Sequence, residues 1–289
     1  AVSRDAASSK FAGGRERTCP SEAPLMVAVA ATTAKPPPPA TVPVVASVAE
    51  FPDRVVEEVC ARATGPQPDD QLFRGACAAY PSDAADARKK LFEIIAKFPS
   101  SEHAPAAYLF FGELFFRDAE SGDRSKYELA RQAYEKVLQY PVATTPVYAY
   151  AAYRCALVWS ATNDHDKALQ LFKDVLVKHP DHPVEAPLLA QAATEGLILA
   201  YAARGQPAAA LPFFRSSALP PKTVAALGEE YLRRGAASDA VAAVEPALEP
   251  GIVGETCVAI EAFASHLQEV DASAATRILA RARVLCPNH

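Results

Sequence analysis

The sequence predicts an all-α protein, an α-solenoid of about six antiparallel helix pairs preceded by an extended proline-rich arm. Three observations lead to this prediction. Residues 164–180, DHDKALQLFKDVLVKHP, carry apolar residues at three- and four-residue spacing and end at a proline, which is the pattern of one amphipathic helix. Related stretches recur along the chain, and after residue 50 no strand-type alternation interrupts the helical pattern. Either Asp164 or Asp166 can cap the start of this helix.

Residues 1–50 differ in composition from the rest of the chain. Four consecutive prolines, 36–39, lie among small and β-branched residues, and no helical period is present. We interpret this segment as an extended arm. It is either a semi-rigid polyproline tether or a segment that docks on its own body or on a partner.

From residue 51 onward, short breaks separate the helical stretches. We divide this body into N-terminal helices with a divergent repeat (51–103), a region of regular repeats (104–250) and a C-terminal capping repeat (251–289). Pro212 lies inside a helical stretch, so we expect it to bend that helix. The breaks that separate the predicted helices are 64–68, 80–83, 98–101, 119–123, 140–146, 179–183 and 219–221.

An internal repeat is visible when the chain is aligned on the alanine of KALQLF. Each copy has a large apolar residue four positions after the alanine and a proline ten to twelve positions after it. A small residue lets paired helices approach, and the large residue fills the space beside it. The copies recur at roughly 30- to 43-residue spacing, around the period of known two-helix repeats. Their alanines are Ala87, Ala130, Ala168, Ala210, Ala240 and Ala275.

The helix that precedes each alanine supports a more specific assignment. Residues 224–240, VAALGEEYLRRGAASDA, place Leu227, Gly228, Tyr231 and Gly235 ahead of the repeat alanine. This pattern resembles the tetratricopeptide repeat family, over about residues 68–289. The copies are most similar to repeats of bacterial envelope proteins, of the outer-membrane assembly lipoprotein and Tol-associated coordinator types. The resemblance implies a right-handed solenoid whose first helices line a concave groove.

The resemblance also implies which residues face that groove. Aromatic side chains with arginine and glutamate at the rim are suited to holding a peptide, because aromatic and arginine side chains dominate interface energies. We therefore expect a non-enzymatic interaction scaffold of a bacterial cell envelope complex that binds a partner segment in the groove. The groove positions carried over are Glu113, Phe116, Arg117, Tyr150, Tyr153, Leu157, Glu195, Leu199, Lys222, Glu229 and Arg233.

Other classes of function find little support in the sequence. The net charge of −5 argues against a nucleic-acid partner, and the apolar run 25–31 is too short to span a bilayer. His179 and His182 lie in a proline-bounded loop that would need two further ligands to hold zinc. We expect no catalytic site, no metal and no cofactor. The rival hypotheses are a cytoplasmic adaptor of the same fold and an enzyme subunit with its site at a repeat junction.

The six cysteines bear on the compartment. Cys257 starts the first helix of the last pair and Cys286 ends the second, so the two lie level in an antiparallel hairpin and we expect a disulfide. Cys60 and Cys77 form a weaker candidate pair, because a simple hairpin offsets them by about two turns. Cys155 is expected in the core. We expect a periplasmic protein whose signal sequence has been removed; the alternative is a cytoplasmic protein with reduced cysteines.

Overall fold

The computed structural model describes residues 51–178, 186–252 and 254–286. The proline-rich arm, His179 and His182 lie outside these ranges, so the predictions about them remain predictions. The described residues form thirteen α-helices and no strand, which confirms the all-α prediction.

The helices follow one another with short connections, and three 3₁₀ turns lie at Val142–Thr144, Pro207–Ala209 and Glu245–Ala247. In chain order the helices are α1 (Phe51–Ala61), α2 (Pro68–Ala79), α3 (Ala84–Lys97), α4 (Ala104–Glu120), α5 (Lys126–Val137), α6 (Tyr148–Ala161), α7 (His165–Lys178), α8 (Ala186–Arg204), α9 (Ala210–Ser216), α10 (Thr223–Arg233), α11 (Ala237–Val244), α12 (Gly254–Leu267) and α13 (Ala272–Leu285).

Helices pack mainly against their neighbours along the chain. Close pairs are α2 with α3, α4 with α5, α6 with α7, α10 with α11 and α12 with α13. The second helix of one pair also contacts the first helix of the next, as α3 does with α4, α5 with α6 and α7 with α8. One continuous apolar core therefore runs along the described chain.

The repeat alanines all lie in this core. Each of the six is fully buried, and the large residue four positions later is also fully buried in five copies. In the last copy Leu279 is only partly buried, and the adjacent Ile278 is buried instead. The repeated small and large residues therefore mark the contacts between helices.

Two glycines of the first helices show how closely the pairs approach. A Cβ atom on Gly112 would lie 2.3 Å from a ring carbon of Tyr134, and one on Gly228 would lie 2.6 Å from Val244. Both distances are below van der Waals contact, so only glycine fits at this helix spacing. Tyr134 and Val244 are the large residues that follow the repeat alanines.

Local features decide where two helices begin. Asp164, and not Asp166, caps α7, because its carboxylate accepts from the backbone N–H of Lys167 at 3.3 Å. The helix that holds Pro212, α9, has only seven residues and follows a 3₁₀ turn. Pro212 therefore lies in the first turn of α9, where its missing N–H breaks no hydrogen bond within that helix.

Both predicted cysteine pairs lie at disulfide-bonding distance. Cys257 and Cys286 join the start of α12 to the residue after α13, with Cα atoms 6.3 Å apart. The weaker candidate pair, Cys60 and Cys77, also forms, with Cα atoms 5.8 Å apart. Arg74, one turn before Cys77, donates to backbone carbonyls of the α1–α2 connection, which holds that connection along α2.

Cys155 belongs to neither disulfide and is fully buried in α6, as predicted for a core position. None of the described helices is both long and apolar enough to cross a membrane.

Candidate functional site

A buried ion pair links α4 to α6. The Nε atom of Arg154 donates to Oε1 of Glu113 at 2.7 Å, and the side chains are 9% and 4% exposed. Tyr134 of α5 donates its hydroxyl to the same carboxylate oxygen at 2.8 Å. Three helices thus meet at one carboxylate. Burying two charges is costly unless they are paired and hydrogen-bonded as they are here.

Aromatic rings enclose this ion pair. The guanidinium of Arg154 lies over the ring of Phe116, 4.0 Å from its centroid. Tyr150 and Tyr153 pack against each other, with ring centroids 6.1 Å apart. On the neighbouring surface, the guanidinium of Arg117 lies over the ring of Tyr80 at 5.2 Å. We call Tyr80, Glu113, Phe116, Arg117, Tyr134, Tyr150, Tyr153 and Arg154 the arginine cluster.

The phenols of the cluster are held protonated. Burial raises the pKa of Tyr134 and of Tyr150 well above the usual value. Burial also raises the pKa of Tyr153 to about 12; the positive charge of Arg154 lowers it, and the negative charges of Glu113 and Glu195 raise it. These hydroxyls therefore act as neutral hydrogen-bonding groups at physiological pH.

The described residues use only part of the hydrogen-bonding capacity of Arg154. A guanidinium has five N–H donors, and the hydrogen bonds that Arg154 makes to described residues all use Nε. Its terminal nitrogens, Nη1 and Nη2, donate to none of the described residues. These two nitrogens form the planar edge with which arginine binds carboxylates in bidentate fashion.

The structure brings together five of the eleven predicted groove residues, but three of these five are buried. Glu113, Phe116, Arg117, Tyr150 and Tyr153 all belong to the arginine cluster. The prediction that the two tyrosines are groove anchors is wrong, because Tyr150 is fully buried and Tyr153 is 6% exposed. Glu113 is likewise buried. Tyr153 packs against Phe172 of α7, with ring centroids 6.0 Å apart, and Glu113 pairs with Arg154 of α6, so contacts between helices occupy these side chains.

Other predicted groove residues lie elsewhere. Leu157 and Leu199 are half-buried, and Glu195 is close enough to α6 to affect the pKa of Tyr153. Three residues of the α10 region make polar side-chain contacts that do not involve the arginine cluster. These pairs are Lys222 with Glu255, Glu229 with His266, and Arg233 with Glu230.

Sequence reasoning missed Arg154, the centre of the cluster. It is the only charged residue in α6, YAYAAYRCALVWSA. A single charge in an otherwise apolar helix indicates a buried and paired group, so this feature was visible in the sequence. Its partner Glu113 was expected to face a groove and not another helix.

A second polar group lies in the N-terminal part of the described chain. Ligand atoms of Asp70, Glu102 and His103 all lie within 4.8 Å of one another. Among the described residues this is the one histidine, cysteine and carboxylate group with spacing suited to a metal ion.

Comparison with known proteins adds no family assignment. No family model matches the chain, and no curated protein sequence matches it. The tetratricopeptide resemblance therefore rests on the residues quoted above and stays a prediction.

Proposed function

We propose that this chain is a non-enzymatic interaction scaffold, a tetratricopeptide-like solenoid that binds an extended partner segment over α4 and α6. The observation that carries the proposal is the pair of Phe116 and Arg117, which stay accessible on α4 beside the buried ion pair. The guanidinium of Arg154, fixed by Glu113, packs against the ring of Phe116 and holds it in place. An aromatic ring held in place beside an exposed arginine favours an acidic and apolar partner segment.

The surface beside Arg154 suits such a segment. Phe116 and Leu157 are half-buried, so each offers apolar area at the surface. Arg117 is exposed and adds a second positive charge next to Phe116. Partly exposed aromatic and arginine side chains around a fixed polar group are typical of binding hot spots. The partner segment is therefore expected to combine an acidic group with apolar side chains.

The proposed compartment is the bacterial cell envelope, with the periplasm as the location. Two cysteine pairs at bonding distance support an oxidising compartment, because disulfides are rare in reducing cytosol. The envelope assignment also depends on the resemblance of the repeats to envelope proteins. The partner is accordingly a protein component of an envelope complex.

An affinity capture from envelope extract, with mass-spectrometric identification of bound proteins, tests this function. Arg117→Glu reverses an exposed charge at the surface without opening the core. Arg281→Glu makes the same change on the exposed face of α13 and is the matched control. We expect wild type and Arg281→Glu to recover the same partner and Arg117→Glu to lose it. Equal recovery by all three proteins would contradict binding at this surface.

A further inference from the structure

The connection between α3 and α4 meets the start of α2 at three potential ligands. Asp70 is in the first turn of α2, and Glu102 and His103 directly precede α4. One oxygen or nitrogen atom from each lies within 4.8 Å of the others. Asp70 and His103 are buried, whereas Glu102 is exposed. The group thus has two buried potential ligands, Asp70 and His103, and one exposed side chain, Glu102, that has room to move.

The buried side is held by several contacts. Nε2 of His103 lies 2.7 Å from Oδ1 of Asp70, and the His103 ring stacks on Phe73, with centroids 4.7 Å apart and planes within 5°. The other oxygen of Asp70 accepts from the backbone N–H of Gln67 at 2.9 Å. These contacts hold the imidazole and the carboxylate side by side.

The charge around this group is negative. Asp69, next to Asp70, accepts a hydrogen bond from Ser101 at 2.6 Å, so a third carboxylate lies in the same turn of α2. Arg74, one turn after Asp70 on α2, donates to backbone carbonyls of the α1–α2 connection. A cation at this position would offset the excess negative charge.

We propose that Asp70, Glu102 and His103 bind a divalent transition-metal ion of the zinc type. An imidazole nitrogen with two carboxylate oxygens suits zinc, whereas magnesium and calcium prefer oxygen ligands alone. Ligands of one tetrahedral ion lie about 3.4 Å apart at ordinary bond lengths, and the exposed side chain of Glu102 is free to move toward the ion. The metal takes the place of the hydrogen-bonding proton between Nε2 of His103 and Oδ1 of Asp70, and these two atoms move apart from their 2.7 Å separation. Nε2 of His103 then coordinates the metal, and the imidazole proton resides on Nδ1.

Such an ion would join the start of α2 to the start of α4. The proposal is independent of the partner-binding surface, because none of its three residues belongs to the arginine cluster. It also differs from the HPDH loop considered in the sequence, since its ligands come from two separate segments.

Isothermal titration of the full chain with Zn²⁺, after removal of metal with a chelator, tests the proposal. Glu102→Gln is the decisive variant, because it removes one ligand charge from an exposed residue and leaves the buried Asp70–His103 contact intact. Glu57→Gln, an exposed position on α1, is the matched control. We expect wild type and Glu57→Gln to bind one zinc ion per chain at this site, and Glu102→Gln to bind it roughly tenfold more weakly or worse.

His103→Asn gives a second, independent variant and should abolish binding at this site. Mg²⁺ titration of wild type should give no comparable heat. Absence of zinc binding by wild type would overturn the proposal. Zinc binding that is unchanged in both Glu102→Gln and His103→Asn would also overturn it, because the ion would then be bound by other histidines of the chain.

Discussion

The buried pair of Arg154 and Glu113 should make a large contribution to the free energy of unfolding that depends on both partners. Replacing Arg154 with methionine keeps most of the side-chain volume but leaves the carboxylate of Glu113 buried at 4% exposure without its counter-charge. Breaking a buried pair in this way costs about 3–5 kcal/mol. Loss of the contact with Phe116 adds to the cost.

A double-mutant cycle separates pairing from packing. Glu113→Gln removes the charge but keeps an oxygen that accepts from Tyr134. We expect the double variant to lose less stability than the two single variants added together, with a coupling energy on the order of 2 kcal/mol. Urea unfolding is followed by far-ultraviolet circular dichroism and by the fluorescence of Trp159, which is the only tryptophan in the chain and lies on the same helix.

Arg277→Met is the matched control for this cycle. Arg277 pairs with Glu245 at 3.5 Å, but its side chain is 58% exposed, so the substitution should cost at most about 1 kcal/mol. If Arg154→Met costs no more than this control, the buried ion pair does not make the large contribution to the free energy of unfolding that its burial implies.

Two further predictions concern the ends and the contacts of the helix pairs. Replacing both Cys257 and Cys286 with alanine should lower the free energy of unfolding by about 3.6 kcal/mol in the chain-entropy model, because the two residues are 29 positions apart. Thermal unfolding measures this loss. Free thiols at both positions in natively isolated protein would contradict the disulfide. Gly112→Ala should destabilise by roughly 1–3 kcal/mol, because its Cβ would overlap the buried ring of Tyr134. Gly75→Ala is the control, because its Cβ would lie 3.0 Å from the flexible side chain of Lys90 and near no buried ring. If both variants lose the same stability, overlap with Tyr134 is not the cause of the loss.

Much of the local structure could be predicted from the sequence, because the features that set it are local. Apolar spacing and proline breaks determine where helices form, and the all-α prediction follows from them. The six repeat alanines are buried as expected, since a small residue beside a large one is needed wherever two helices approach. The disulfide of Cys257 and Cys286 was predictable for the same reason, because an antiparallel hairpin fixes which positions lie level.

Only the tertiary structure decided which surfaces of each helix remain accessible. Tyr150 and Tyr153 are residue types that often occur in binding surfaces, yet both lie in the core. Tyr153, for example, packs against Phe172 of α7, and the repeat pattern does not specify which face of α6 such contacts bury. The register between helices likewise brought Arg154 to Glu113 and Asp70 to His103. Those partners are 41 and 33 residues apart in the sequence, and no local pattern encodes such a distance. Helix packing alone sets these pairings, since it depends on side chains from several elements at once.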